Sequence, residues 1–384
     1  MRAGLIKARA RELGFDLCGI ARAHPLDPGP LDRWLGNGWD ADLGYIKARR
    51  DERLNPDRVL PGARSVIALA ASYGPQPGEG EPDALALTGE ALPERELIVA
   101  RYARGRDYHN VILKPARKLA AWIRTGFNAR VYCEVDTGAV MEKPWAQEAG
   151  LGWIGKNGCL IHERLGSWLL LGALVTDLEL DADAPHPDRC GDCIACIPAC
   201  PTNAIPEPRF VDATRCLAYH TIEHRGPIPL DLAARGPGRV FGCDICQDVC
   251  PWNRRARPGT LVQLRARPGQ EALNLSDVLA LTPESARARF EGTPLARAGR
   301  DGLVRSALAV TSRPLSPREL AQVRGLAEDA APGVRAEATR LLQRQGPAPQ
   351  RAQVHGAEIL RAGAQREGSV STAPVNAPDA GEQS

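Results

Sequence analysis

The chain has 384 residues, 43% of them hydrophobic, enough for two or three domains around a sizeable core. Its 49 Lys and Arg nearly balance 46 Asp and Glu, and a net charge of +3 excludes a bulk polyelectrolyte. The first residues lack the apolar segment of a signal peptide, no twin-arginine leader is visible and no run is long enough to span a bilayer. A cytoplasmic protein without membrane association is therefore expected.

In chain order, residues 1–20 read as a helix with Leu5, Ile6, Ala10 and Leu13 on one face, running into a strand over 16–20. Short helices follow over 32–39 and from Leu43, and Val66 to Tyr73 is an apolar run of buried-strand type. Residues 74–96 are rich in Pro, Gly and Glu and read as an exposed excursion. A helix is expected from His109 to about Thr125, with Ile112, Leu119, Trp122 and Ile123 inward. Arg130 to Val135 alternates like a strand and delivers Asp136 at its end, and 142–149 is helical. Residues 158–161 and 168–175 are two further buried strands, and 301–345 reads as stacked short helices. Beyond 346 the chain lacks periodicity and reads as a disordered tail.

The strongest signal is Cys190-Gly-Asp-Cys193-Ile-Ala-Cys196-Ile-Pro-Ala-Cys200-Pro201, the Cys-x2-Cys-x2-Cys-x3-Cys-Pro spacing that holds cubane clusters in bacterial-type ferredoxins. Three thiolates wrap one cubane while the fourth serves a second cluster. Cys243-Asp-Ile-Cys246 and Cys250-Pro251 form a second half-motif, with Cys216 between the two. The crossover rule assigns Cys190, Cys193, Cys196 and Cys250 to one [4Fe–4S] cluster, and Cys200, Cys216, Cys243 and Cys246 to the other. Zinc knuckles and disulfide frameworks are the competing readings; a continuous run ending in Cys-Pro suits neither.

Gly150-Leu-Gly152-Trp-Ile-Gly155 matches the dinucleotide fingerprint, yet a helix precedes it and a strand follows, the reverse of the working order. The glycines are read instead as letting backbone approach another large ligand. Asp136 is either a turn former or a general acid whose pKa a pocket would raise by desolvation. His109, His162 and His220 read as structural hydrogen-bonding histidines, and Cys18, Cys133 and Cys159 as small hydrophobes on strands.

Two clusters form an electron wire, and a wire needs a terminus. Over residues 5–255 the chain resembles the epoxyqueuosine reductase family. The resemblance lies in Leu-Pro-Gly-Ala-Arg-Ser at 60–65, Arg-Tyr-Ala-x-Gly-x-Asp-Tyr-His at 101–109 and Val-Asp-Thr-Gly at 135–138. It continues in Ala-Gly-Leu-Gly-Trp-Ile-Gly-Lys-Asn at 149–157, both cysteine motifs and Cys-Pro-Trp-Asn at 250–253. The resemblance implies an α+β protein. Residues 1–180 would form an α/β cobalamin-binding catalytic domain and 181–260 a ferredoxin-like module with two [4Fe–4S] clusters. A HEAT-like helical repeat for tRNA binding would span 261–345, and the tail 346–384.

It also implies cob(II)alamin as a cofactor, with Asp136 as proton donor and corrin-pocket residue. Arg58, Tyr102, Lys156, Asn157, Leu160, Ile161, His162, Leu171, Thr221 and Asp244 match the other corrin-lining positions. The implied reaction reduces epoxyqueuosine to queuosine at the tRNA wobble position, the last step of queuosine biosynthesis. The substrate is then tRNA carrying epoxyqueuosine in its anticodon loop. The implied partner is a low-potential electron donor, and a monomer is expected. Arginines beside the second cysteine motif (Arg254, Arg255, Arg257) and on the repeat (Arg305, Arg335, Arg340) are expected at phosphates. A corrinoid reductive dehalogenase and a non-catalytic two-cluster electron carrier are the alternatives.

Overall fold

The computed structural model describes residues 1–75 and 96–345, so most of the 74–96 excursion and the expected tail lie outside the described residues. Helix α1 (Arg2–Glu12) buries Ala3, Ile6 and Ala10, spaced to lie on one side, whereas Leu5 faces solvent. Strand β1 (Leu17–Arg22) follows, then four short helices: α2 (Gly29–Gly36), α3 (Gly44–Ala48), α4 (Arg50–Leu54) and α5 (Pro56–Val59). Strand β2 (Ser65–Ser72) is buried along its whole length. Strand β3 (Glu96–Val99) precedes the long helix α6 (Tyr108–Phe127), capped by Asp107, whose carboxylate accepts from the His109 backbone N–H. Asn128 ends α6 in the left-handed region at φ 51°. Strand β4 (Val131–Glu134), helix α7 (Glu142–Glu148), the hairpin strands β5 (Trp153–Ile154) and β6 (Leu160–Ile161), and strand β7 (Leu169–Thr176) complete this half.

The main sheet has the order β1-β2-β7-β4, and every neighbouring pair is antiparallel. The rule that parallel α/β sheets place sites beyond their strand ends therefore does not apply to Asp136. The period-two alternation of β2 divides the core cleanly. Ile67, Leu69 and Ala71 pack with α1 and α6; Val66, Ala68 and Ala70 pack with Trp145 and Ala146 of α7. Truncating Ile67 or Leu69 would cost about 2–5 kcal/mol. The expected inward set of α6 is found at Ile112, Leu119 and Ile123, while Trp122 is only half-buried.

The cysteine-rich region carries short helices α8 (Cys196–Ala199), α9 (Leu217–Ile222), α10 (Leu230–Arg235) and α11 (Ile245–Asp248), with strand β8 (Arg239–Phe241) before α11. Strand β9 (Ala272–Asn274) then leads into α12 (Leu275–Leu279), α13 (Pro283–Phe290), α14 (Gly299–Val310), α15 (Pro317–Leu326) and α16 (Pro332–Arg344). The last three match the helices expected from 301 to 345. Capping boxes start α13 (Thr282 with Ser285) and α15 (Ser316 with Glu319).

A second sheet, ordered β8-β3-β9, takes one strand from each of the three predicted segments. Leu97, Val99, Val240, Phe241 and Leu273 pack there in one core with helical residues up to Leu341. Arg305, expected at a phosphate, lies inside. It is 2% exposed, and its guanidinium donates to the backbone carbonyls of His220, His224 and Gly226. Arg340 is half-buried, at 3.3 Å from both the Ile228 carbonyl and Glu337 Oε1. Exposed Arg335 donates to the Ala330 carbonyl at 2.8 Å, tying down the loop before α16.

Candidate active site and cluster ligands

The motif cysteines lie close enough to act on one another electrostatically. Burial, then the nearby sulfurs of Cys190, Cys196 and Cys193, push the Cys250 thiol up to about 11. Cys196 likewise feels Cys190 and Cys193, and is held at about 11, chiefly by burial. Cys216 in turn acts on Cys243, while Cys243, Cys216 and Cys200 all act on Cys246. Burial dominates there too, raising Cys243 to about 12. Cys159 acts on Cys196, Cys216 and Cys246 alike, and the division of ligands between the two clusters is carried by the spacing. Among the described residues no three His, Cys, Asp or Glu side chains converge as a single metal ion requires. A cubane spreads its thiolates more widely than one zinc ion does.

The loops are held from outside. Trp153 Nε1 donates to Cys190 Sγ at 3.4 Å, and Trp153, Ile161, Trp252, Cys190 and Cys250 share one apolar cluster. Lys156 Nζ donates to the Gly191 carbonyl at 2.7 Å, and Asn157 Nδ2 to the Cys246 carbonyl at 3.2 Å. Buried Asn253 donates to the Gln247 carbonyl at 2.7 Å and to Ser167 Oγ at 2.9 Å, locking the second motif to the segment before β7.

The glycines of 150–155 serve the chain's own backbone. An added Cβ on Gly152 would stand 2.1 Å from the Ile161 carbonyl oxygen, and one on Gly150, at φ 73°, 2.6 Å from that of Ala184. They permit the β5–β6 hairpin, in which Trp153 pairs with Ile161. The close approach expected towards a large ligand is made by this hairpin instead. Cys159 lies in its turn rather than on a strand and is half-buried.

Asp136 follows β4 at φ 62°, a left-handed conformation that a non-glycine residue adopts at a cost of about 1–3 kcal/mol. Its backbone N–H donates to Glu142 Oε1 at 2.6 Å, fixing the turn against the start of α7. Its Oδ2 accepts from the Tyr108 hydroxyl at 2.8 Å and lies 2.8 Å from His109 Nε2. The side chain remains 52% exposed. Desolvation opposes its ionisation, but the bonds from His109 and Tyr108 outweigh burial and hold its carboxyl below the usual aspartate range. The expected upward shift is therefore reversed in this structure. Glu142, half-buried beside it, is pushed up to about 7, chiefly by desolvation.

His109, expected to be a hydrogen-bonding histidine, bridges two carboxylates, with Nδ1 2.9 Å from Asp107 Oδ1 and Nε2 on Asp136. Burial disfavours its charged form, but the two carboxylates prevail and raise its pKa above the ordinary histidine value. Arg297 also reaches Nδ1 and lies over the Tyr108 ring at 5.8 Å. Asp-Tyr-His at 107–109, opening an amphipathic helix, is the sequence signal that could have pointed to this group. Arg297 has none, because only the tertiary fold brings it there.

The other expected corrin positions divide. Tyr102 stacks edge-on with Tyr108 at 5.9 Å and lies within the electrostatic reach of Asp244 and Asp136. Asp244 Oδ2 accepts from the Arg101 N–H at 2.6 Å, and burial raises its pKa. Thr221 is buried, its hydroxyl accepting from Gly242 N–H at 2.9 Å. Arg58 is exposed on α5, and Leu171 is half-buried on β7. Leu160 and Ile161 are buried, Ile161 in one apolar cluster with Cys190 and Cys250. His162 is driven down to about 4, chiefly by desolvation, and its Nδ1 accepts from the Arg164 N–H at 3.1 Å. His220 is buried, with Nε2 2.8 Å from the Thr214 carbonyl.

Two family models match: "4Fe-4S double cluster binding domain" over residues 189–253 and "Epoxyqueuosine reductase QueG, DUF1730" over 53–137. An epoxyqueuosine reductase of Gloeobacter violaceus is 43% identical over 314 residues, covering 79% of this chain and 94% of that one. The chain belongs to the epoxyqueuosine reductase family. Another epoxyqueuosine reductase, of Pseudomonas aeruginosa, is 40% identical over 306 residues, covering 78% of this chain and 82% of that protein. The epoxyqueuosine reductase structure from Streptococcus thermophilus superposes with a TM-score of 0.75 over 94% of both chains, at 26% identity. One solved with an epoxyqueuosine-modified tRNA-Tyr stem loop shares the fold at TM-score 0.78 over 90% of both chains, at 24% identity.

Of the family's two matched regions, the first ends at the Val-Asp-Thr of Asp136 and the second spans all eight motif cysteines. A large apolar cofactor fits the surroundings of Asp136 in one respect visible here. The first three residues of the central strand β7, Leu169, Leu170 and Leu171, are only half-buried, while the last five are fully covered. A central strand uncovered at one end leaves apolar surface for a ligand to cover.

Proposed function

We propose that this chain reduces epoxyqueuosine to queuosine in tRNA with cobalamin and two [4Fe–4S] clusters, Asp136 delivering a proton to the departing epoxide oxygen. The observation that carries the role of Asp136 is its half-exposed carboxylate, held by Tyr108 and His109 beside the uncovered end of β7. Cobalamin, when bound, supplies a strongly nucleophilic reduced centre, fed with single electrons by the clusters.

The chain's own part is positioning and proton transfer. Leu171, Tyr102 and Asp136 are the residues we assign first to the corrin, with Arg58, Thr221 and Asp244 as further corrin-lining positions. Lys156, Asn157, Leu160, Ile161 and His162 act through the hairpin that braces the cluster loops. Tyr108 and His109 orient the carboxylate. The helices after β9 support a HEAT-like reading in which they bind tRNA, with residues 1–180 as the cobalamin domain and 181–260 as the cluster module. We further infer a monomer served by a low-potential donor. Among the described residues no helix is long and apolar enough to cross a membrane.

Anaerobic incubation of cluster-reconstituted protein, cobalamin and a chemical reductant with epoxyqueuosine-containing tRNA, followed by nucleoside mass analysis, tests the reading. Loss of one oxygen mass from the nucleoside is expected. An unchanged nucleoside with both clusters and cobalamin bound would refute it.

A further inference from the structure

Removing an epoxide oxygen as water breaks two carbon–oxygen bonds, forms one carbon–carbon π bond, and consumes two electrons and two protons. A carboxyl group supplies one proton at a time, so Asp136 must be recharged within each turnover. We propose that His109 is the proton reserve that recharges Asp136 through Nε2, while Asp107, at the edge of a groove beside α6, holds the ring in its charged form through Nδ1. This rests on the reading of Asp136 as proton donor.

The geometry is that of a relay. The imidazole stands between two carboxylates, with Asp107 Oδ1 at 2.9 Å from Nδ1 and Asp136 Oδ2 at 2.8 Å from Nε2. These nitrogens lie on opposite edges of the ring. Asp107 also lines a groove of about 610 Å³ bordered by Glu12, Arg106, Asn110, Lys114 and Lys118. One end of the chain of groups thus opens on the groove, and the other carries the half-exposed Asp136. His109 itself is 13% exposed, so the proton it holds is exchanged mainly beside Asp136.

The charges around the ring decide where the proton rests. Asp107 from the α6 cap and Asp136 from the turn after β4 favour imidazolium, while Arg297, from the segment before α14, opposes it. Tyr108 lies against the ring at 4.1 Å and donates its hydroxyl to Asp136, with Tyr102 edge-on behind it. Two carboxylates outweigh one guanidinium, so at rest the proton sits on His109 and Asp136 is ionised. In the transfer, the Nε2–H bond breaks and an Oδ2–H bond forms. Asp136 then gives that proton to the epoxide oxygen while the electrons arrive through the cofactors. The ring is left neutral with its remaining proton on Nδ1 against Asp107, and the vacant Nε2 regains its proton from water admitted at the half-exposed Asp136 before the next transfer. His109 acts through Asp136 and is a positioning residue in that sense.

The test uses full-length, cluster-reconstituted protein with cobalamin. His109→Gln keeps an amide donor for Asp136 but cannot carry the proton. Its turnover near neutral pH should fall about tenfold or more. The wild-type decline in rate as pH rises through the His109 pKa should be absent from it. His109→Ala should be slow and regain rate with added imidazole. In apo protein labelled with 13C-histidine, the His109 resonance should titrate above the usual histidine range, and Asp107→Asn should lower that pKa. A His109→Gln protein that keeps the wild-type rate and pH limb while Asp136→Asn is slow would overturn the relay and leave the donor reading intact. Full rate in both variants would overturn both. Should His109→Gln fail to fold, Asp107→Asn carries the same decision: an unmoved His109 pKa and pH limb overturn the proposal.

Discussion

The indole N–H of Trp153 donates to the sulfur of Cys190 across 3.4 Å, joining the β5–β6 hairpin to the first cysteine motif. Hydrogen bonds to cluster sulfurs stabilise the more negative, reduced state and so raise the potential. Trp153→Phe keeps the aromatic packing and removes the donor. The cluster held by Cys190 should then titrate at a more negative potential by EPR, while the cluster held by Cys243 stays where it was.

The crossover spacing predicts paired losses. Cys250→Ser should damage the same cluster as Cys190→Ser, and Cys200→Ser the same one as Cys243→Ser. Iron content and EPR of the four variants check this; matched damage in Cys190→Ser and Cys200→Ser would contradict the partition.

Asp136→Asn keeps the shape of the carboxylate and can still bond Tyr108, but cannot deliver a proton. Turnover should drop about a hundredfold or more, with clusters, cobalamin and tRNA still bound. If the variant loses cobalamin while its remaining holo fraction reacts at the normal rate, Asp136 serves the corrin pocket and another group is the acid.

Glu142 is raised to about 7, chiefly by burial, against an ordinary 4.5. The native state therefore holds its proton more tightly than the unfolded chain, and stability falls as pH rises from about 4.5 to about 7. A shift of that size corresponds to about 3 kcal/mol. Glu142→Gln should flatten this part of the profile, measured by denaturant unfolding at pH 5 and pH 7.5. Equal slopes in the two proteins would show that the carboxyl is already ionised in the native state.

Arg254, Arg255 and Arg257 are exposed beside the second cysteine motif and are the arginines we expect at tRNA phosphates. Each replaced by Ala should weaken tRNA binding and lower the slope of log affinity against log salt by about 1. Arg305→Ala should instead destabilise the fold, since its guanidinium satisfies buried carbonyls. Deleting the chain from residue 275 would strip the shared core from β3 and β8, so point variants are the cleaner test.

The double-cluster domain was legible because cubane chemistry dictates a local cysteine spacing, and the periodicities of α6 and β2 announced their buried faces. The acid's surroundings were not. Asp107, Tyr108 and His109 are adjacent in sequence, but Asp136, Glu142 and Arg297 reach them only through tertiary packing, and the bonds from His109 and Tyr108 invert the pKa shift that burial alone predicts. The glycines of 150–155 misled for a related reason. Their motif resembles one for phosphate, whereas a carbonyl of the neighbouring strand demands the same lack of a Cβ.

Strand β3 cannot be paired on either side until β8 and β9 have been made, far downstream. Such pairing closes long loops before any contact rewards it, which makes folding slow. During synthesis, therefore, both cysteine loops leave the ribosome while the sheet that will flank them is still unfinished. Cluster delivery at that stage would meet an open, incompletely folded chain, since the second sheet can close only once β9, at Ala272–Asn274, has emerged.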